Sequence, residues 1–344
     1  MKLIIGIDEA GYGPNLGPLV IGASVWVAPS DQWIDGCLEI LAPEFRAEPW
    51  RPNSDFIPLG DSKKIYKPGL GLDGLRAGVD FLGTPSLKGT ASTSFTSMLL
   101  HSLASDDAGR VETQPWYSPR FDDAITMVVA SETEVERSAR RKLESLGLQC
   151  LGLKARVIDE EEFNRAVALA GNKSTALSEW SVGLIADCLR QYCNANDQTG
   201  ASVQRIEVYC DRHGGRKRYA PVLSHVLGSS SNSEVVSTDH PVWFDVLEEN
   251  SQCSRYQSRW LGREMTIQFR VQGDSLFPSA ASSLVAKLLR ELLMVRLNRF
   301  WREAVGETLR PTAGYPVDAA RFAEDIRAVQ SRLGVPTSRW WRER

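Results

Sequence analysis

Asp8 and Glu9 stand at the end of a short apolar run, Lys2 to Ile7, and are followed by Ala10-Gly11-Tyr12-Gly13-Pro14. Adjacent carboxylates at the lip of a strand suit a cationic ligand. Neighbouring strand residues point to opposite faces, so the pair serves one site only if the backbone leaves the strand at Glu9, a bend that the two glycines permit. The same turn frees backbone N–H groups to face an anion. The plain alternative is an acidic turn that caps a strand. Two more acids sit at strand ends: Asp211, closing Ile206-Glu207-Val208-Tyr209-Cys210, and Asp274, after Phe269-Arg270-Val271-Gln272-Gly273. Ligands of open α/β sheets gather at such ends. Four converging carboxylates would raise one another's pKa, and divalent cations remove that conflict. Oxygen-only ligation suits Mg²⁺ or Mn²⁺ rather than zinc. Two such ions about 3.5–4 Å apart can generate a hydroxide and stabilise the leaving oxygen of a phosphodiester.

Other chemistries have less support. Asn172-Lys173-Ser174 has the end of a phosphate-binding loop but lacks the glycine before the lysine, so it reads as a helix N-cap. No serine sits in a Gly-x-Ser-x-Gly elbow. The six cysteines form no C-x-x-C pair and the four histidines do not cluster with them, which argues against zinc and against a disulfide framework. At 344 residues, 42% hydrophobic and 24% charged, the chain has ample material for a buried core. Its longest apolar stretch, Leu19 to Val27, is about half of what a bilayer needs, and the acids at 8 and 9 interrupt the only apolar run near the start, so the expectation is a cytoplasmic protein with no membrane partner. Net charge is −3, but from Ser251 onward 16 basic residues face 9 acidic ones. Such a part either lies along a phosphate backbone or is a solvated, arginine-rich helical face.

The elements that must position these acids follow from patterning. Leu19 to Val27 reads as a second strand, paired with the first through a Gly/Pro-rich loop. A helix is expected over Leu72 to Leu82. The stretch from Gly83 to Phe121, rich in Ser, Thr, Gly, Asp and Pro, reads as an inserted loop or small subdomain. Strands are expected at Ile125 to Ala130, Cys150 to Ile158, Arg205 to Asp211, Val242 to Val246 and Glu264 to Val271, with Tyr256 to Trp260 as a hairpin partner. Helices are expected at Glu132 to Leu146, at Thr175 to Tyr192 behind an N-cap at Ser174 or Thr175, at Ser279 to Ala304 and at Ala319 to Leu333, and a flexible loop at Gly228 to Ser233. Strands first in a hairpin and later separated by helices give an α/β fold with a mixed central sheet flanked by helices.

In order along the chain come Gly6-Ile7-Asp8-Glu9-Ala10-Gly11-x-Gly13-Pro14 with Gly17-Pro18, Asp61-Ser62-Lys63-Lys64, the strand ending at Asp211, and Gly273-Asp274-Ser275 followed by Ala281-Ser282-Ser283-Leu284-Val285-Ala286-Lys287 and Arg290. This series resembles the ribonuclease HII family, a type 2 ribonuclease H. The resemblance implies a ribonuclease H-like fold and metal-dependent endonucleolytic hydrolysis of the RNA strand of RNA–DNA hybrids, or of a ribonucleotide-containing duplex, leaving 3′-hydroxyl and 5′-phosphate ends. It implies a catalytic domain over 1–304, with an inserted segment at about 83–121, and a helical C-terminal extension over 305–344. Asp8, Glu9, Asp211 and Asp274 match the family's four metal-binding acids, with Asp8 shared between the ions and Asp274 helping to position the attacking water. Lys63, Lys64, Ser283 and Lys287 match positions that approach the nucleic-acid backbone. Lys287 and Arg290 read equally as the exposed face of a helix that buries Leu284, Val285 and Leu288.

Two departures concern substrate reading. The family's loop after the acids is Gly-Arg-Gly and reads the 2′-hydroxyl at an RNA–DNA junction; here it is Gly11-Tyr12-Gly13, and tyrosine cannot supply arginine's charged fork. The family's junction-reading tyrosine follows Lys-Gly; here the match is Ala313-Gly314-Tyr315. The expectation is an enzyme that cuts long hybrids but excises a single embedded ribonucleotide poorly. Tyr315 reads alternatively as a residue packed on the C-terminal helix. Trp340 and Trp341, among arginines, form either a base-stacking tail or, preferably, an interface or partly disordered end. The alternatives to a hybrid-cutting enzyme are a nuclease of the same fold acting on another nucleic acid, such as DNA flaps or structured RNA, and a nucleic-acid-binding protein without turnover.

Overall fold

The computed structural model describes residues 1–29, 37–87, 95–122, 132–193, 202–230 and 242–343. Two apolar, β-branched runs build the centre: β1 (Lys2–Ala10) and β2 (Leu19–Ala28) are buried along almost their whole length, as strands covered on both faces must be. They pair antiparallel from Lys2↔Ala28 to Ala10↔Val20. β1 therefore runs straight through Asp8 and Glu9, and the expected departure from the strand at Glu9 does not occur. Two short strands, β3 (Phe45–Arg46) and β4 (Ile57–Pro58), pair with each other outside the main sheet. β5 (Gln149–Ile158), β6 (Arg205–Asp211), β7 (Asp245–Glu249), β8 (Cys253–Trp260) and β9 (Arg263–Arg270) complete a seven-stranded sheet in the order β5-β2-β1-β6-β9-β8-β7. β1, β6 and β9 are mutually parallel and every other pairing is antiparallel, so the sheet is mixed. The expected α/β class with a mixed central sheet flanked by helices is what the chain adopts.

Side chains of β1 alternate between two cores. Leu3, Ile5 and Ile7 meet the helices Lys173–Tyr192 and Ala220–Ser230, whereas Ile4 faces the long helix Phe277–Val305. The long helix buries 19 of its residues around its whole circumference, which marks it as a core element rather than a surface one. It lies on the sheet at backbone contact: a Cβ on Gly6 would stand 2.1 Å from the Pro278 carbonyl, and one on Gly22 would stand 2.2 Å from the Ser282 oxygen. Ser24 Oγ donates to the Pro278 carbonyl at 2.7 Å and fixes the register.

Several expectations need correction. Of the two readings of Gly83 to Phe121 it is the loop that falls: most described residues lie in Phe95–Leu103, Ser105–Glu112 and two 3₁₀ turns, which follow the end of the helix Asp73–Leu87. Phe95, Leu99, Leu100 and Leu103 keep a helical spacing that the surrounding Ser and Thr dilute, and Trp116 and Tyr117 are fully buried. Ile125 to Ala130 lies outside the described residues. The helix Lys173–Tyr192 begins earlier than expected because Asn172, not Ser174 or Thr175, is its cap, accepting from Thr175 N at 2.9 Å. Residues 228–230 of the expected loop are helical, and the rest of that loop is outside the described residues. The helices Glu160–Ala170 and Ala220–Ser230 were not expected.

Part of the arginine excess after Ser251 lies inside the fold. Arg290, Arg296 and Arg342 are buried, and Arg296 holds Asp122, Glu112 and the Tyr117 carbonyl. The Trp340–Trp341 end is ordered, with Trp340 only 3% exposed and its ring centroid 5.9 Å from that of Trp301. Among the described residues no helix is long and apolar enough to cross a membrane.

Candidate functional site

The last registered pair of β1 and β6 is Ile7↔Cys210, so Asp8 and Asp211 follow it on adjacent parallel strands, whose separation is about 4.8 Å. Asp211 closes β6 opposite Arg270 of β9. Beyond β9 the chain turns through Gln272, at φ 58°, into the 3₁₀ turn Gly273–Ser275 that carries Asp274. Gly273 N–H donates to Asp211 Oδ1 at 2.9 Å and ties that turn to β6. Asp8 lies on the long-helix side of β1, where the Ser283 hydroxyl hydrogen-bonds its carboxylate and Glu9 N–H donates to its Oδ1 at 2.8 Å. Glu9, one residue on, belongs to the opposite side.

These acids share one electrostatic neighbourhood. Burial, then the charges of Asp211 and Asp274, push the Asp8 carboxyl up to about 8 against the favourable bonds from Ser283 and Glu9 N–H. Burial, then Asp8 and Asp211, raises Glu9 well above the usual carboxylate range. Asp211 and Asp274 are raised chiefly by burial too, and for Asp274 the neighbouring Asp61 and Asp211 add to it. Lys63 opposes the shift in Glu9, Asp211 and Asp274, and Lys64 does so in Asp274. Both lysines are exposed on a single helical turn, Ser62–Ile65, capped by Asp61, which accepts from Lys63 N at 2.9 Å. Ser283 Oγ stands 3.1 Å from Ser62 Oγ and docks that turn on the long helix.

The acid quartet is an oxygen-only donor set held partly buried and driven toward protonation, a state that a hard divalent cation would relieve. The donor chemistry thus fits Mg²⁺ or Mn²⁺. Among the described residues, however, no three His, Cys, Asp or Glu side chains stand close enough as they lie to hold an ion. One cause is visible: Asp8 and Glu9 leave opposite faces of a straight strand.

The loop after the acids is fixed from beneath. Gly11 has φ 92°, and a Cβ there would stand 2.5 Å from Arg290 Nε. Arg342 donates to the carbonyls of Gly11 and Pro14, its N–H donates to Asn15 O at 2.8 Å, and Gly17 N donates to Glu160 Oε1 at 3.1 Å. Gly314 O accepts from Asn15 N at 2.8 Å and from Leu16 N at 3.2 Å, which brings Tyr315, 54% exposed, beside this loop. Gly13 is exposed. Lys287 is not a free cation: its Nζ donates to Glu291 at 2.8 Å and lies 4.9 Å from the Tyr66 ring centroid. Tyr12 leans the other way, onto the start of the helix Lys173–Tyr192. Its hydroxyl meets Ser174, burial and the Glu9 charge raise its pKa, and Lys173 Nζ sits 4.9 Å from its ring centroid. Lys173 and Arg342 are the residues of this neighbourhood that sequence reasoning missed. The Asn-Lys-Ser signal is plain in the sequence but reads there only as a cap, and nothing local in the sequence ties Arg342 to Gly11.

No protein-family model and no curated protein matches the chain. Among solved structures it is similar to RNase HII of Archaeoglobus fulgidus in its complex with PCNA, at 16% identity over 99% of this chain and 94% of that chain, with a TM-score of 0.36. It is similar to ribonuclease H2 from Pyrococcus horikoshii at 14% identity over 98% and 92%, with a TM-score of 0.37. It is also similar to a point mutant of Bst-RNase HIII at 15% identity over 94% and 62%, with a TM-score of 0.34.

Proposed function

We propose that the chain is a divalent-cation-dependent endonuclease that hydrolyses the RNA strand of RNA–DNA hybrids, leaving 3′-hydroxyl and 5′-phosphate ends. The observation that supports this reading best is the gathering of Asp8, Glu9, Asp211 and Asp274, from three distant segments, into mutual electrostatic reach beside the exposed Lys63 and Lys64. Burying four carboxylates together costs free energy that an ordinary fold would avoid, so the cluster is a candidate for function. In this reading Asp8, Asp211 and Asp274 would hold Mg²⁺ or Mn²⁺, with Glu9 joining them if the end of β1 opens, and the ion would supply activation of a water and neutralisation of charge at the phosphodiester. Lys63 and Lys64 bind substrate phosphates as compact cations, and the bond from Ser283 orients the Asp8 carboxylate. The peptide groups of Gly11 and Gly13 are offered to a ribose hydroxyl, and Tyr12 supplies no guanidinium fork, so cleavage at a single embedded ribonucleotide is weak relative to a long hybrid. In this reading Tyr315, exposed beside the same loop, meets the duplex.

A gel assay of the purified chain on a long hybrid, one ribonucleotide in duplex DNA, and all-DNA, each with Mg²⁺ or Mn²⁺, tests this. Hybrid cleavage is expected, lost in Asp8→Asn and Asp211→Asn with binding retained. Binding without cation-stimulated cutting would instead favour a non-catalytic nucleic-acid-binding role.

A further inference from the structure

The fold places a cation beside the acid cluster on the side away from Lys63 and Lys64, and the proposed activity leaves it unexplained. Lys173 is the first residue of the twenty-residue helix that Asn172 caps. Its ammonium lies 4.9 Å from the centroid of the Tyr12 ring, and no carboxylate pairs with it among the described residues. What sets it apart from other unpaired surface cations is its seat over the Tyr12 ring, in the loop that follows the acids. Glu9 is the acid whose charge reaches Tyr12, so Lys173 is separated from the acid cluster by one aromatic ring.

The position of Lys173 is built. Ser174 Oγ donates to the His213 carbonyl at 3.4 Å, and Ser178 Oγ lies 3.0 Å from His213 Nδ1. His213 is two residues beyond Asp211, so these bonds lock the start of the helix to the end of β6. Arg216 Nη1 donates to Thr175 Oγ1 at 3.2 Å, bringing a second cation to the same corner. An ammonium held over an aromatic face keeps its charge while losing part of its freedom, which lowers the entropic cost of meeting an anion. The acids alone would repel a polyanion; cations on both flanks let its backbone cross them.

We infer that Lys173, steadied on Tyr12, binds a backbone phosphate of the nucleic-acid substrate on the flank of the acid cluster opposite Lys63 and Lys64, as a specificity-neutral positioning contact. The inference rests on the proposed nuclease reading. A lysine supplies charge without a planar fork, so this contact holds the duplex and does not read its sugar.

The test is the binding of a fluorescein-labelled RNA–DNA hybrid, followed by anisotropy in Ca²⁺ over a series of KCl concentrations, for the unsubstituted protein, Lys173→Ala, Lys173→Arg and a remote control, Lys142→Ala. Removing the cation from one phosphate lowers the steepness of log K against log salt by about 0.9. Lys173→Ala is expected to weaken binding about 3- to 10-fold at low salt and to flatten the slope by about that amount. Lys173→Arg should restore both, and Lys142→Ala should change neither. Equal slopes and affinities for Lys173→Ala and the unsubstituted protein, with unchanged melting curves, would reject the proposed phosphate contact and leave the nuclease reading standing. An equal effect from Lys142→Ala would reject it as well, because net charge alone would then explain the change. If the unsubstituted protein shows no salt-dependent binding to the hybrid, the phosphate contact and the nuclease reading fall together.

Discussion

Replacing Arg342 should loosen the loop that follows the acids, and the size of the effect can be worked from its contacts. Its side chain is 1% exposed, donates to the carbonyls of Gly11 and Pro14, and lies 4.7 Å from the centroid of Phe163. Two hydrogen bonds from a charged donor contribute about 1.5–3 kcal/mol each, and the ring contact about 0.5–2 kcal/mol. Against them stands the cost of burying the guanidinium, seen in its pKa, which burial and then Arg290 pull down to about 10. Arg342→Met recovers that cost but leaves two buried carbonyls without donors and removes the cation that opposes the upward shift of Glu160. Leaving two carbonyls without their donor costs about 1–3 kcal/mol each. Arg342→Lys, able to serve one carbonyl rather than two, should lose roughly half of that. Urea unfolding followed by tryptophan fluorescence, with Trp301 and Trp340 packed on each other nearby, measures the total. Amide exchange of Asn15, Leu16 and Gly17 shows whether the loss is centred on the loop. An Arg342→Met variant within about 1 kcal/mol of the parent, with those amides still protected, would refute the reasoning.

Glu160 is raised to about 7, chiefly by burial, so between its unfolded value of 4.5 and about 7 the folded state holds the extra proton. Stability must therefore fall as pH rises through that window, by about 3 kcal/mol in all. Glu160→Gln should gain on the parent by that amount between pH 4.5 and 8 in urea titrations, and a pH-independent difference would contradict it. Gly22→Ala drives a methyl to 2.2 Å from the Ser282 carbonyl, backbone against backbone, so it should cost at least about 1–3 kcal/mol and show as a lowered Tm. Arg296→Met removes the buried guanidinium shared by Asp122 and Glu112 and should destabilise by about 3–5 kcal/mol in the same unfolding assay.

Much of this architecture was legible because its signals are local. β1 and β2 announce themselves through continuous apolar and β-branched residues, and each strand-end acid stands next to the run that positions it. The strand ending at Asp211 needed only its apolar run and a turn, and the long helix from Phe277 only its length without a Gly or Pro after Pro278. What stayed hidden is held by contacts between distant residues. The helices Phe95–Leu103 and Ser105–Glu112 are too short for their apolar spacing to stand out, and they are fixed by tertiary burial and by the Arg296 network. The expected bend at Glu9 failed because pairing of Glu9 with Ile21 and of Ala10 with Val20 keeps both residues in the ladder. Local glycine content permits a bend; it does not outweigh two more residues of sheet.

The same distinction separates what the acids are from what surrounds them. A carboxylate at a strand end is a property of one segment. The cation over Tyr12 depends on a helix some 160 residues later in the chain, brought there by bonds between Ser174, Ser178 and His213. The support under Gly11 depends on Arg342, which by sequence alone belongs to a loose tail. Charge counting misleads for the same reason. The excess of arginine after Ser251 is a sum over residues, yet Arg290, Arg296 and Arg342 spend their charge inside the fold on carbonyls and acids. In the proposed reading the cations that would face a polyanion at the acid cluster are lysines on one short turn and a helix start, Lys63, Lys64 and Lys173. A net charge of −3 is then no obstacle to binding one, because what a phosphate backbone meets is the local arrangement of cations and not the total.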